Sequence, residues 1–566
     1  MKKFLAIVLA LACVLSLCAC NAGKPGMNKG NGGNKDNVES TLGADDVTAD
    51  GKIKLTIGIP TNAMVLSHDN NALTRWVEEQ CKVELTFVEY SGGTDVPTQI
   101  ATAIAGNREL PDILFGVGLS ASAITRYGKD GYFLDLSDYY ADTEGASKTF
   151  WDRLNNELTE AEVEHILRVI TDPEEGKIFG VPTIETSLID KMRYQMWINT
   201  EWLKAVGMEA PTNNKEMVEV LKAFKEKDPN GNGKADEIPL FGSQIAGAGS
   251  KVVDFVINTF TYYDSNRKWL LDDNGKVSPV FTSDKYREAL AFVNYLYDEK
   301  LLSNVVWNSD NNAMKQIVTP SNGTAMVGMF CGHLTLHATK GSEVMYQYEP
   351  VKPWGCAVRG DITCTLKTFI TDSCTAGKRD KAFEVLMTLF SWEGSMRVRY
   401  GEYGVNWTDA DPGAKSDLGL DATYKMLSDP LTQQNTAKWA AIASCLNVYA
   451  EGETSQVDAN TDPWIAERSA MHAKSQMLFA EAEAENNPKN ICPIIVTTEE
   501  EQELTEAVRT NINSYVSTSM TEFCTGKRDI NDDAEWNTYL KTIKDMGLDV
   551  YTAYIQGSVD RPAGVI

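Results

Sequence analysis

Histidine is scarce in this 566-residue chain, and positive charge is well outnumbered by negative. Lys and Arg number 53 against 79 Asp and Glu, for a net charge of -26, and there are five histidines. A surface this acidic repels phosphate backbones, and no basic run opposes it, so nucleic acid is not an expected partner. Only His333 and His337 stand at i,i+4 spacing, and without an intervening Glu, which argues against a zinc pair. The chain has no Gly-x-Ser-x-Gly elbow, no His-Glu-x-x-His and no glycine-rich phosphate loop. The 79 acidic residues leave open a glycosidase carboxylate pair, but nothing marks one, so an extracellular carbohydrate-active enzyme is the weaker reading. Cys-x-x-Cys spacing is absent too. Eight of the eleven cysteines (81, 331, 356, 364, 374, 445, 492 and 524) are scattered, and disulfides and free thiols both stay open.

Among the features present, Asp228-Pro-Asn-Gly-Asn-Gly-Lys-Ala-Asp-Glu237 is the most informative. Oxygen-bearing side chains fall on alternate residues around two glycines, the grammar of a calcium loop. Asp228, Asn230 and Asn232 fill the first three ligand places, Lys234 offers its carbonyl, and Gly233 makes the sharp turn. Pro239 stands where an EF-hand has its bidentate Glu, so Asp236 and Glu237 must close the shell. A bare solvated turn has similar composition, but the five filled places favour a structural Ca2+.

Lys2 and Lys3 precede an apolar run from Phe4 to Ala19, too short to span a membrane, which reads as a secretory signal. Its end, Leu17-Cys-Ala-Cys20, resembles the lipobox of bacterial lipoproteins, which makes Cys20 the expected lipid anchor. Residues 21–50 are rich in Gly, Asn and Lys and poor in large apolar residues, as in a flexible tether. No second long apolar segment follows, and the body is expected to be soluble.

From residue 52 the pattern alternates: a strand at 52–59, a helix at 71–80, a strand at 83–88, a helix at 99–105 and a buried strand at 112–115. Helices are expected over 215–227, 283–300, 378–392, 463–483 and 498–517. This is α/β, without internal repeat, and some 510 residues require at least two lobes.

Tyr194-Gln-Met-Trp-Ile-Asn-Thr-Glu-Trp-Leu203, Val206-Gly207 and Pro211-Thr212, followed by the Asp228 loop, resemble the central block of extracellular solute-binding proteins of ABC sugar importers. The larger lipoproteins similar to alginate-oligosaccharide binders carry the same shortened calcium loop. Leu110-Pro-Asp-Ile113, Gly131-Tyr-Phe-Leu-Asp-Leu136, Val327-Gly-Met-Phe330 and Trp392-Glu-Gly394 fall in the family order.

The resemblance implies a two-lobed type 2 periplasmic-binding-protein fold with hinge strands and a ligand cleft. Lobe 1 would hold residues 51–184 and 325–393, lobe 2 residues 185–324 and 394–550, and 551–566 a C-terminal tail. The chain would act as a monomer on the outer face of the cytoplasmic membrane, passing an oligosaccharide to a permease. By family position the ligand residues would be Trp76, Asp112, Glu185, Arg193, Trp197, Phe330, Trp354, Trp407 and Trp464. Competing readings stand beside them: Trp197 lies in an apolar pattern that suits a core, and Asp112 suits a turn or cap. Peptide cargo is the alternative on the same fold. Among sugars, the acidic composition favours a neutral oligosaccharide over uronates.

Overall fold

A computed structural model describes residues 42–561, apart from 93–94, 187–191, 248, 266, 340–341, 361, 417–418, 429–433, 441, 448–453 and 458–462. The leader, Cys20 and residues 21–41 lie outside the described residues, whereas residues 42–50, expected as tether, are held on lobe 1 by the Val47 to Ile53 bridge and the Asp46 to Lys378 pair. Among those described, no helix is long and apolar enough to cross a membrane.

Two sheets organise the chain. Ten strands are numbered in chain order: β1 Ile53–Pro60, β2 Val83–Tyr90, β3 Ile113–Leu114, β4 Val181–Glu185, β5 Met196–Asn199, β6 Ile238–Phe241, β7 Val327–Cys331, β8 Tyr348–Pro350, β9 Thr363–Ile370 and β10 Leu446–Asn447. The first sheet runs β10-β4-β9-β3-β1-β2 and the second β8-β5-β7-β6. β1 follows the expected alternation: Leu55, Ile57 and Ile59 are fully buried and pair in register with Leu85, Phe87 and Glu89 of β2. The expected helices are present as Ala72–Cys81, Asn214–Glu226, Asp284–Asp298, Ala376–Phe390, Pro463–Asn486 and Glu499–Cys524. The first of these starts where the Asn71 side chain accepts the Leu73 N–H and stops at Lys82 in the left-handed region, φ 54°.

Each sheet has its own hydrophobic core. One gathers residues between Leu55 and Ile184, then Ile362 to Val398, then Trp439 to Leu446. The other gathers Tyr194 to Val358 and Cys492 to Ile555. These cores correct three expected boundaries. Residues 325–358 belong with lobe 2, because β7 is an inner strand of its sheet, bonded to β5 and β6. Residues 394–447 stay largely with lobe 1, since the Trp392–Tyr400 helix continues on the core that Ala376–Phe390 covers. The expected tail contains a helix, Leu548–Asp560, whose Tyr551 and Ile555 are buried in the lobe 2 core.

The chain therefore passes between the lobes three times: between Glu185 and Met192, between Arg359 and Thr363, and between Asn447 and Pro463. Met192, Ala357, Phe479 and Ala482 form a small separate core at these passages. Arg359 clamps it, with Nε and Nη2 donating to the Glu483 carboxylate at 2.6–3.0 Å.

Asp112 is a fold residue. It is 2 % exposed, accepts the Thr56 N–H at 2.8 Å and hydroxyl at 2.9 Å, returns its own N–H to that hydroxyl, and pairs with Lys378 at 2.6 Å. It thus ties β1, β3 and the Ala376–Phe390 helix together, and a buried carboxylate already satisfied has no lone pair directed at a solute. Replacing Asp112 with Ala leaves Lys378 buried without this partner and is expected to cost lobe 1 about 3–5 kcal/mol in urea denaturation while leaving solute affinity unchanged. An affinity loss at intact stability would return Asp112 to the ligand site.

Candidate functional site

Strand directions locate the cleft. β1 is parallel to β2 and β3, and β9 is antiparallel to both β3 and β4, so β1 to β4 all end at one edge of the first sheet. In the second sheet β6 and β7 are parallel and β5 is antiparallel to β7, so the start of β5 lies at the edge where β6 and β7 end. The first passage leaves one of these edges and enters the other. The two carboxyl edges therefore face each other, the place where open α/β sheets bind ligands.

The lobe 1 wall is the segment after β1, zipped to residues 434–439. Leu66 N–H donates to Asn435 O and Asn435 N–H to Met64 O, both at 3.0 Å, and Gln434 Nε2 to Ala63 O at 2.7 Å. Behind it His68, 3 % exposed, holds Glu89 through Nδ1 at 2.6 Å and stacks on Phe87. Trp439 packs edge-on against Phe87 and Phe115 and donates to Thr74 at 2.8 Å. This scaffold leaves Leu66 standing 62 % exposed at the rim.

The lobe 2 wall comes from the segments after β6 and β7. Ser243 accepts the Ile245 and Ala246 N–H groups and donates to Ser309 O, which fixes the turn and leaves Ile245 61 % exposed. Gln244 has its amide nitrogen buried without a hydrogen-bond partner. His333 follows β7; its N–H donates to His337 Nδ1 at 3.0 Å, and its ring lies 4.8 Å from that of His472. Burial, then the neighbouring His333, lowers the His337 pKa to about 4. His337 is therefore neutral near pH 7, accepting at Nδ1 and donating through Nε2 to Asn311 at 3.2 Å.

The nine expected ligand residues divide. Glu185, half-buried, and Arg193 flank the first passage, and Arg193 Nε is buried without a hydrogen-bond partner. Trp197 and Phe330 are core: both are 0 % exposed, stacked with ring centroids 6.4 Å apart, and the Trp197 indole donates to Gly332 O. Trp407 is equally buried in a separate cluster with Met396, Tyr400 and Tyr424. Trp76 lies under Arg397 in a groove of about 840 Å³ between helices of lobe 1, lined by none of the carboxyl-edge residues. Trp354 is tied to Asn214 at 2.9 Å and set edge-on to Phe255 on the flank of lobe 2. Trp464 falls in the Pro463–Asn486 helix, and its side chain lies outside the described residues. Choice by family position led several of these to packing residues, whereas Leu66, Gln244, Ile245 and His333 are signalled only by following a strand's carboxyl end.

The 228–237 segment closes on itself at the end of the Asn214–Glu226 helix. Asp228 accepts the Asn232 and Gly233 N–H groups at 3.1 and 3.0 Å, Asn232 Oδ1 accepts from Lys234 N–H, and the Asn230 and Asn232 amides both reach Asp236. Gly231 and Gly233 sit at φ 67° and 73°, where a side chain would be strained. Glu237 Oε1 is buried without a hydrogen-bond partner, and burial, reinforced by Asp228 and Asp236, raises its pKa. Among the described residues no three His, Cys, Asp or Glu side chains form a metal cage, so amides and a carbonyl would have to complete one. The crowded carboxylates and the orphaned oxygen fit a hard cation.

Facing carboxyl edges joined by three passages define a two-lobed binding protein. Residues 69–332 match the family model of bacterial extracellular solute-binding proteins. The fructooligosaccharide ABC transporter substrate-binding protein FusA of Streptococcus pneumoniae is 24 % identical over 467 residues, 80 % of each chain. Its solved structures include one of an EF-hand mutant with fructo-nystose, TM-score 0.60, 20 % identical, covering 90 % of this chain and 99 % of that one. Lipoprotein LipO of Bacillus subtilis is 31 % identical over 252 residues, 44 % of each chain. An HMO-binding ABC-transporter-associated solute-binding protein of Bifidobacterium longum infantis superposes with TM-score 0.70 at 20 % identity, covering 91 % of this chain and all of that one.

Lobe 2 holds two buried groups that titrate in opposite senses. Asp254, 1 % exposed and close to Lys251, Ser265 and Tyr194, has its pKa raised to about 6 by burial. The unfolded carboxyl ionises nearer 4, so Asp254 makes stability fall as pH rises from about 4 to 6. His337 does the reverse, making stability fall as pH drops from about 6.5 to 4. Each effect is on the order of 3 kcal/mol, so they largely offset. Urea midpoints at pH 4.5, 5.5 and 7 should show Asp254→Asn steepening the loss on acidification and His337→Gln reversing it. Parallel profiles for both variants and the parent would refute the two titrations.

Proposed function

We propose that this protein captures an oligosaccharide between its two carboxyl edges and presents it to an ABC importer permease, as a binder rather than an enzyme. The observation that carries the reading is the match to a fructooligosaccharide receptor over four-fifths of both chains. The rims suit such a ligand: Leu66 and Ile245 offer aliphatic surface to C–H faces, and Gln244, His333, Glu185 and Arg193 offer hydrogen bonds to hydroxyls. A ligand touching both rims stabilises the closed arrangement, because only there are both sets of contacts made. Cys20 would carry the lipid that holds the receptor at the outer face of the cytoplasmic membrane, and residues 21–41 would be its tether.

Calcium in the 228–237 loop completes the proposal. Asp228, Asn230, Asn232, Asp236, Glu237 and the Lys234 carbonyl would hold it, and the ion would cross-link a surface turn of lobe 2. The loop leads into β6 at its amino end, opposite the edge that carries Gln244, so the ion has a structural role and no contact with solute.

A thermal-shift screen of residues 51–566 with calcium present tests the solute. Neutral oligosaccharides, fructans first, should raise the melting temperature as concentration passes the dissociation constant, and should be recovered intact. A rise confined to peptides, or recovery of cleaved glycan, would overturn the reading. For calcium, chelation should remove about 2.7 kcal/mol if the ion stands at a hundredfold excess over its dissociation constant, with solute affinity unchanged. Asp228→Ala should already be destabilised and insensitive to chelator. Equal melting with and without chelator in the parent would remove the ion from the account.

A further inference from the structure

The carboxyl-terminal helix makes a contact between the lobes that none of the three passages provides. Arg561 ends the Leu548–Asp560 helix with its side chain locked into lobe 2: Nη1 donates to Val496 O and Nη2 to Glu501, both at 2.7 Å. Ser558 exchanges two further hydrogen bonds with Val496, at 2.8 and 2.9 Å. The Arg561 carbonyl is turned the other way, to lobe 1, where Arg168 Nη1 donates to it at 2.9 Å. Arg168 stands in the last turn of the Glu160–Ile170 helix, whose Ile166 and Ile170 belong to the lobe 1 core; its side chain is 13 % exposed and steadied by Glu164. A cation at the carboxyl end of a helix also meets the negative pole of its dipole.

Beside this bond the two surfaces do not fill the space between them. A cavity of about 170 Å³ is bounded by Leu119, Ile124, Ile170 and Leu366 from lobe 1 and by Val496 and Gln502 from lobe 2. Leu366 lies three residues beyond Thr363, where the second passage ends. The contact therefore sits alongside the passages, and an underpacked interface there separates at low cost, because little dispersion attraction is lost.

We propose that the end of the carboxyl-terminal helix, through the Arg168 to Arg561 bond, is a latch that sets the resting angle between the lobes and thereby the balance between open and closed arrangements. The latch needs the two-lobed fold and not the identity of the solute. A hydrogen bond from a charged donor, made in one arrangement and absent in the other, changes their ratio by about tenfold or more.

The test is double electron–electron resonance between spin labels at exposed positions 79 in lobe 1 and 215 in lobe 2 of the full chain, with no solute added. Arg168→Ala should redistribute the distances and, for whichever solute binds the parent, change affinity about tenfold or more; Glu164→Ala, which keeps the bond, should do neither. If Arg168→Ala does not fold, Arg168→Gln retains the aliphatic stem and reports instead. Superimposable distance distributions for the parent and a folded Arg168 variant would overturn the latch. Failure of every sugar in the thermal screen would overturn the solute assignment and leave the distance result standing.

Discussion

The bidentate pair between Arg359 and Glu483 is the contact on which the working of the two lobes depends. Two large cores lie under separate sheets, and the passages between them cannot draw on either. What gathers them is the four-residue core of Met192, Ala357, Phe479 and Ala482, with Arg359 lying over the Phe479 ring and forked onto Glu483. Both partners are about 29 % exposed, so the pair is solvated enough to avoid a large desolvation cost and geometrically specific enough to fix the Pro463–Asn486 helix across the passages. Asn487 repeats the tie through two hydrogen bonds with Ala357. Such a small core can hold three chain segments together while leaving two rigid bodies free to turn about them, the structural form of hinge closure.

Apart from the Arg168 to Arg561 bond, the polar ties described for each body run within it. Asp112 joins two strands and a helix of lobe 1, and the Trp197 indole joins β5 to the segment after β7 in lobe 2. The 228–237 turn is bound to lobe 2 through Asn230 and the Ala325 carbonyl. Each of these stabilises one body and is indifferent to the angle between them.

The sequence made the strands and helices legible because the signals were local. The 2.0-residue alternation of Ile53 to Pro60 and the Asn71 cap both lie within a few residues of what they determine. The order in which strands join sheets was not legible in the same way: Val327-Gly-Met-Phe-Cys331 reads as a buried strand wherever it lies, and only its pairing with β5 and β6 assigns it to lobe 2. The burial of Trp197, Phe330 and Trp407 has a related reason. Tryptophan in an apolar pattern is core unless a strand end turns it outward, and Trp197 sits in mid-strand, whereas Leu66 and Ile245 are unremarkable by residue type and acquire meaning from following β1 and β6. Glu185 and Arg193 fall on either side of the first passage, whose place could be read because it is a continuous piece of sequence.

The energetics set what the cleft must supply. Moving a two-state balance from 1:99 to 99:1 takes about 5.5 kcal/mol of preference for one state. A net hydrogen bond supplies about 1 kcal/mol, and burying apolar surface about 25 cal/mol per Å². Roughly four hydrogen bonds with about 60 Å² of newly covered aliphatic surface reach that figure. In the proposed site these groups are divided between the rims, Leu66 and Glu185 on lobe 1 and Gln244, Ile245, His333 and Arg193 on lobe 2. In the site we propose, a solute long enough to engage both rims would close the lobes, and one that reaches a single rim would bind without closing them.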